Sequence, residues 1–155
     1  YLTIYVAMTL GSFVCLMQLK GKDGGYREEF ADISGLSKTR PALAAAFAIF
    51  MFSLAGIPPL FGFWGKLVVF NAAVAAGLLP LAVIGIAASA IGAFYYLKVV
   101  KVMYFDEAVT ATTVTAGADV RIVLSLNGLL VLILGIVPGA LMSLCARSVS
   151  QMLAN

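Results

Sequence analysis

The sequence predicts an all-α membrane protein with four transmembrane spans, the second of them a discontinuous (broken) helix. Three observations carry this. Apolar residues make up 63% of the chain and charged ones only 11%, against roughly 25% charged in soluble domains. The apolar residues gather into four runs, 1–19, 42–76, 79–104 and 122–145, each exceeding the ~18 residues of a spanning-helix candidate. The longest run is interrupted at 56–59 by Gly56-Ile57-Pro58-Pro59. Residues 1–155 read as a single membrane domain.

The first run, Tyr1–Leu19, shows no basic flank before it and no small-residue cleavage pattern with a polar domain after it, so it does not read as a signal peptide. It opens inside apolar sequence without an initiator Met, and a piece of a longer chain is expected. The segment that follows, 20–41, carries Lys20, Lys22, Arg27, Lys38 and Arg40 against Asp23, Glu28, Glu29 and Asp32. Gly21-Lys22-Asp23-Gly24-Gly25 lacks the order of a phosphate-binding loop and the strand that precedes one. It reads as a flexible turn. Pro41 suits the first position of a helix, with Thr39 or Arg40 just outside.

The second run cannot be one straight helix. Ala42–Gly77 would extend about 54 Å at ~1.5 Å per residue, whereas a bilayer's hydrocarbon core is ~30 Å thick. Pro58 and Pro59 donate no backbone hydrogen bond and clash with the preceding turn, and Gly56 tolerates left-handed angles. Two half-helices, Ala42–Ala55 and Leu60–Ala76, are expected to meet there. The third run follows a short connection at 77–79, and the fourth follows a Thr- and Gly-rich segment, 105–121. Gly85, Ser89 and Ala93 on the third run, and Gly135 and Gly139 on the fourth, recur every four residues and suit close helix packing. The positive-inside rule places loops 20–41 and 105–121 in the cytoplasm, and loop 77–79 and both chain ends outside. Only Arg147 opposes this.

Lys66 is the residue that asks for a function. It lies roughly 9–10 Å beyond the break, inside the membrane, where a lysine costs about 2.5–3.5 kcal/mol on insertion scales. Snorkelling needs an interface within one side-chain length, yet about ten apolar residues follow Lys66. Such residues face a bundle interior or a water-filled cavity, and a lysine there is suited to carry a proton. Gly62, one turn earlier on the same face, leaves room for water, and Phe63 and Phe70 flank Lys66 at three and four residues. The break offers freed carbonyls that can hold water, as irregular backbone does in transporters. Ser53 and Tyr95 are further channel-lining candidates. Lys98 suits a positive-inside anchor and is deep enough to mark the cytoplasmic mouth of a path.

Other classes fall away. There is no basic stripe interleaved with aromatics, which argues against nucleic-acid partners. There is no His, and Cys15 and Cys145 sit in apolar runs, so metal or haem ligation is not expected. The acids lie in loops, and no paired carboxylates stand inside the membrane.

The run Phe52-Ser53-Leu54-Ala55-Gly56-Ile57-Pro58-Pro59-Leu60-Phe61-Gly62-Phe63-Trp64-Gly65-Lys66 resembles the antiporter-like subunits of proton-pumping NADH:quinone oxidoreductase, respiratory complex I. These share ancestry with multisubunit cation/proton antiporters. Gly65-Lys66, Gly92-Ala93-Phe94-Tyr95-Tyr96-Leu97-Lys98 and Lys101-Val102-Met103-Tyr104 bring the resemblance closest to subunit N. A glutamate typical of subunit M is absent at Lys66, and the acid that usually follows the lysine in subunit L is replaced by Leu67. The resemblance extends over the whole chain, as the C-terminal part, the last four spans, of a longer subunit. It implies that Lys66 matches the lysine of the C-terminal broken helix, a proton relay near the external half-channel. It implies no cofactor in this chain, with NADH, FMN, iron–sulfur clusters and quinone on other subunits. The implied partners are other membrane subunits of complex I and the lipid bilayer, in the bacterial inner (plasma) membrane. Two other readings stay open, a subunit of a stand-alone cation/proton antiporter and a helical scaffold in which Lys66 is merely buried in a pair.

Overall fold

The computed structural model describes residues 1–20, 25, 29–108, 113–114 and 117–154. It is mostly helical: α1 Leu2–Met17, α2 Phe30–Ile33, α3 Leu36–Thr39, α4 Pro41–Ala55, α5 Phe61–Ala75, α6 Leu79–Phe105, α7 Ala118–Ile136 and α8 Gly139–Ala154. A two-residue strand, β1 Leu19–Lys20, pairs antiparallel with β2 Thr113–Val114, Leu19 opposite Val114 and Lys20 opposite Thr113. Of the helices, α6 and α7 are long and apolar enough to cross a membrane; α1, α4 and α5 are apolar but shorter.

Helix boundaries follow local chemistry. Pro41 opens α4 with Arg40 outside it at φ −142° and ψ 70°, the extended backbone that a following proline imposes. At the other end of α5, Gly77 takes φ +75°, and the Leu78 and Gly77 amides donate to the Ala73 and Val74 carbonyls. That is a Schellman motif, and Pro80 then sits in the first turn of α6, where its missing N–H is harmless.

Three expectations are corrected. The run 122–145 is not one helix: α7 starts a turn earlier, at Ala118, and ends at Ile136, with α8 beginning after Pro138. Asp119 in the first turn of α7 suits the positive helix end. Pro138 lacks an N–H and drives Val137 to φ −124° and ψ 69°. The segment 20–41, expected as a loop, contains α2 and α3. They dock on the end of α6 through the Gly35 amide, which donates to the Val102 carbonyl at 3.2 Å, and the Ser34 hydroxyl, which donates to the Glu107 carbonyl. The all-α expectation also omitted the β1–β2 pair. The turn proposed at Gly21–Gly25 lies outside the described residues except for Gly25.

The core centres on α4, which packs against α1, α5, α6 and α7. Phe50 is fully buried between Gly11 of α1, whose added Cβ would strike its ring, and Gly128 of α7, whose Cβ would stand 3.8 Å away. Two glycines thus form the socket for one phenylalanine, as close packing in lipid requires. Asn127 Nδ2 donates to the Ala7 carbonyl at 2.9 Å, fastening α7 to α1. Leu81, Ile84, Ile91 and Phe94 of α6 point outward, each more than half exposed. Cys15 is buried, Cys145 exposed, and both are free thiols.

Candidate functional site at the α4–α5 break

The last four carbonyls of a helix have no partner within it. In α4 these belong to Phe52, Ser53, Leu54 and Ala55. Gly56 turns left-handed at φ +86°, so that the Ile57 amide reaches the Phe52 carbonyl at 3.1 Å and the Gly56 amide reaches that of Ser53 at 3.0 Å. This Schellman motif disposes of two acceptors. The other two go to one side chain: Lys66 Nζ donates to the Leu54 carbonyl and to the Ala55 carbonyl, each at 2.9 Å. A cation at the negative end of a helix dipole, in charge-assisted hydrogen bonds, is a favourable closure. The freed carbonyls expected to hold water are therefore held by the backbone and by the lysine.

The start of α5 is built just as closely. The Pro58–Pro59 peptide is cis, and the Leu60 amide donates to the Ile57 carbonyl at 3.0 Å. The Gly62 amide, one of the unpaired donors of α5, finds the Ser53 Oγ at 3.0 Å, and that hydroxyl also touches Met8 Sδ at 2.7 Å. A Cβ on Gly62 would run into the Ser53 carbonyl. The place a Gly62 side chain would take is thus filled by backbone. On the far side of α5, Trp64 Nε1 donates to the Gly135 carbonyl of α7 at 2.8 Å. A Cβ on Gly135 would come within 2.7 Å of the Pro59 carbonyl, so the link rests directly on α7.

Lys66 stands between two cavities. One, of ≈ 140 Å³, is bounded by Tyr5, Met8, Ser53, Gly62, Ser89 and Tyr96 among others. The second, of ≈ 290 Å³, is bounded by Gly56, Phe63, Phe70, Ser89 and Ala93. Lys66 and Ser89 line both. An ammonium has three protons to donate; two are committed to carbonyls, and the third is free for a water or a base.

The sequence candidates divide. Ser53, Gly56, Gly62, Phe63, Phe70 and Lys66 come together here, with Pro58 and Pro59 forming the link. Tyr95 and Lys98 do not. Tyr95 is 59% exposed and faces a separate groove with Phe13 and Phe30. The Lys98 ammonium lies 5.0 Å over the Phe30 ring, a cation–π contact. Sequence reasoning placed Ser89 in a packing stripe and did not single out Tyr5 or Met8. Tyr96 rather than its neighbour Tyr95 lines a cavity with Lys66, a choice of helix face that the hydropathy of α6 does not announce.

Residues 1–92 match the model of the family described as NADH:quinone oxidoreductase/Mrp antiporter, TM. The chain is 61% identical over 121 residues to NADH-quinone oxidoreductase subunit N of Rhizorhabdus wittichii, covering 78% of this chain and 25% of the relative. It is 46% identical over 153 residues to subunit N of Parvibaculum lavamentivorans, covering 99% and 32%. Among solved structures, a chain of respiratory complex I from Thermus thermophilus with bound aureothin superposes with a TM-score of 0.78 at 34% identity, covering 90% of this chain and 31% of that one. This chain thus spans about a quarter to a third of the length of the relatives it matches. By the family match over more than half its length, the chain belongs to the NADH:quinone oxidoreductase/Mrp antiporter transmembrane family.

Proposed function

We propose that this chain is part of a subunit N, an antiporter-like membrane-arm subunit that couples quinone reduction by NADH to proton transport, and that Lys66 is its proton relay. The observation that carries this is the Lys66 ammonium, clasped to the Leu54 and Ala55 carbonyls with a cavity on either side. Protonated, it closes the end of α4; to pass its proton on, it must release charge into one of those cavities. A relay needs two states that differ in free energy, and loss of the charge-assisted clasp supplies such a difference. Gly56, Pro58 and Pro59 keep the helix broken, while Ser53 and Gly62 fix the two halves against each other.

The membrane arrangement follows. Four spans are formed by α1, by α4 with α5 as one discontinuous span, by α6, and by the fourth apolar run. Taken together, α4 and α5, at about 22 Å each, cover more than the ~30 Å hydrocarbon core. Loops 20–41 and 105–121 lie on the cytoplasmic side of the bacterial inner membrane. The β1–β2 pair and the docking of Ser34 on Glu107 support placing these loops on one side. The redox chemistry of NADH, FMN, iron–sulfur clusters and quinone we assign to other subunits. The names of the relatives favour this reading over a stand-alone cation/proton antiporter.

The test is Lys66→Ala in the full-length protein within the assembled complex, in sealed vesicles. NADH-driven quinone reduction and proton uptake are recorded per assembled complex. Both fall several-fold if Lys66 is a coupled relay. Wild-type values for both would make the lysine a structural cap. Sodium-dependent exchange, without co-purification of a redox arm, would return the antiporter reading.

A further inference from the structure

At the end of α4 remote from Lys66, a groove of ≈ 410 Å³ opens between the end of α1, the α3–α4 junction and the first turns of α7. Its walls are of two kinds. Gln18, Arg40, Arg121 and Ser125 supply N–H and O–H groups, and Leu43, Ala46 and Leu124 supply an apolar floor. Among the described residues no acid lines it. Asp119, the nearest in sequence to Arg121, turns back onto its own N-terminal neighbour Gly117.

Gln18 is the informative residue. It is only 5% exposed, and its Nε2 has no hydrogen-bond partner. A buried donor left unpaired bears the full penalty of its desolvation, so such a group in a groove wall asks for an acceptor. The remaining features ask for the same one. Among the described residues neither Arg40 nor Arg121 enters an ion pair. The groove also lies at the start of α4, whose first-turn amides favour an anion.

We propose that this groove binds the phosphate of an anionic phospholipid. Arg40 and Arg121 grip the phosphate oxygens, the pairing that guanidinium geometry favours. The Gln18 amide supplies the inner donor, and an acyl chain lies along Leu43, Ala46 and Leu124. Donors set above an apolar floor match a lipid, polar at one end only, rather than free phosphate. Basic pockets between spans on the cytoplasmic side are suited to such headgroups. The proposal rests on the membrane orientation given above and not on the role of Lys66.

The full-length chain in detergent micelles is titrated with phosphatidylglycerol or phosphatidylcholine, and retained lipid is counted by native mass spectrometry. The wild type is expected to hold one more phosphatidylglycerol than Arg40→Gln/Arg121→Gln, whose affinity falls about tenfold or more. Gln18→Leu, which keeps the side chain's bulk and removes the donor, weakens retention without unfolding the chain. Lys66→Ala retains the lipid fully, so failure of the relay reading leaves this result intact. Equal phosphatidylglycerol retention by the double variant and the wild type overturns the proposal. So does equal retention of phosphatidylcholine, which marks a merely apolar groove. Displacement by millimolar inorganic phosphate overturns it too, in favour of a free-phosphate site.

Discussion

At Gly62 and Gly65, three residues apart on the same helix, the structure draws opposite consequences from the same residue type. A methyl group on Gly62 has nowhere to go, because the Ser53 carbonyl occupies its place and that carbonyl is held by the Gly56 amide. A methyl on Gly65 would meet Ile4 Cδ1 at 3.4 Å and Tyr1 Cδ2 at 3.6 Å, ordinary contacts with the far ends of side chains. Gly62→Ala should therefore push α5 off α4, with an overpacking cost of about 1–3 kcal/mol, and carry Lys66 away from its two carbonyls. Gly65→Ala should be close to neutral. Thermal stability and yield of the assembled complex are the measurements, and equal behaviour of the two variants would remove the close approach from the argument. That Lys66 needs partners was legible in the sequence, because a lone ammonium in an apolar run is costly. Its partners were not. Which carbonyls remain unpaired depends on where the helix stops and on whether Gly56 turns left-handed, and an apolar sequence states neither.

Among the elements, α5 fastens two neighbours at once. On one side Lys66 closes the end of α4; on the other Trp64 closes on the Gly135 carbonyl near the end of α7. The α7 carbonyl is free to accept because the helix stops at Ile136 before Pro138. The interruption at Pro138 and the one at Pro58–Pro59 are thus joined by the indole and by the direct approach of Gly135 to the link. Trp64→Phe keeps most of the ring and removes the donor, and the loss should be about 1 kcal/mol, a typical net hydrogen bond. Gly135→Ala should be worse, since its Cβ meets Phe61 N at 2.8 Å and Leu60 Cα at 2.9 Å, backbone that cannot step aside. A larger effect for Trp64→Phe than for Gly135→Ala, in stability of the assembled complex, would reverse this ranking. The first interruption was readable because two consecutive prolines and a glycine divide a run too long for one span. The second was not, because a single proline inside an apolar run is compatible with one kinked membrane helix. The contact of Trp64 with Gly135 joins residues 71 apart, and no periodicity within either run reports it.

At the scale of the molecule, the distribution of charge and the pairing of loops argue for one orientation. Lys20, Lys38 and Arg40 precede or lie in the segment that ends at Pro41, and Lys101 pairs with Asp106 at 2.6 Å at the end of α6. These ends are drawn together by the β1–β2 pair and by the Gly35–Val102 contact, while the Gly77–Leu78 turn carries no Lys or Arg. The turn and the paired loops should therefore face opposite sides of the membrane, with the basic side in the cytoplasm. Single cysteines test this in full-length protein from which every native cysteine, Cys15 and Cys145 among them, has been replaced by alanine. Leu78→Cys, at a half-exposed position, should react with a membrane-impermeant maleimide in intact cells with the outer membrane opened. Glu107→Cys should react only after the inner membrane is permeabilised; it leaves every basic residue in place and so does not itself disturb the orientation. The reverse pattern would invert the assignment of both loops and put the phospholipid groove on the external leaflet. Labelling of both positions in intact cells would be more damaging, because the turn and the paired loops would then lie on one side. In that case α4 and α5 would not together cross the bilayer, and Lys66 would have no two sides between which to pass a proton.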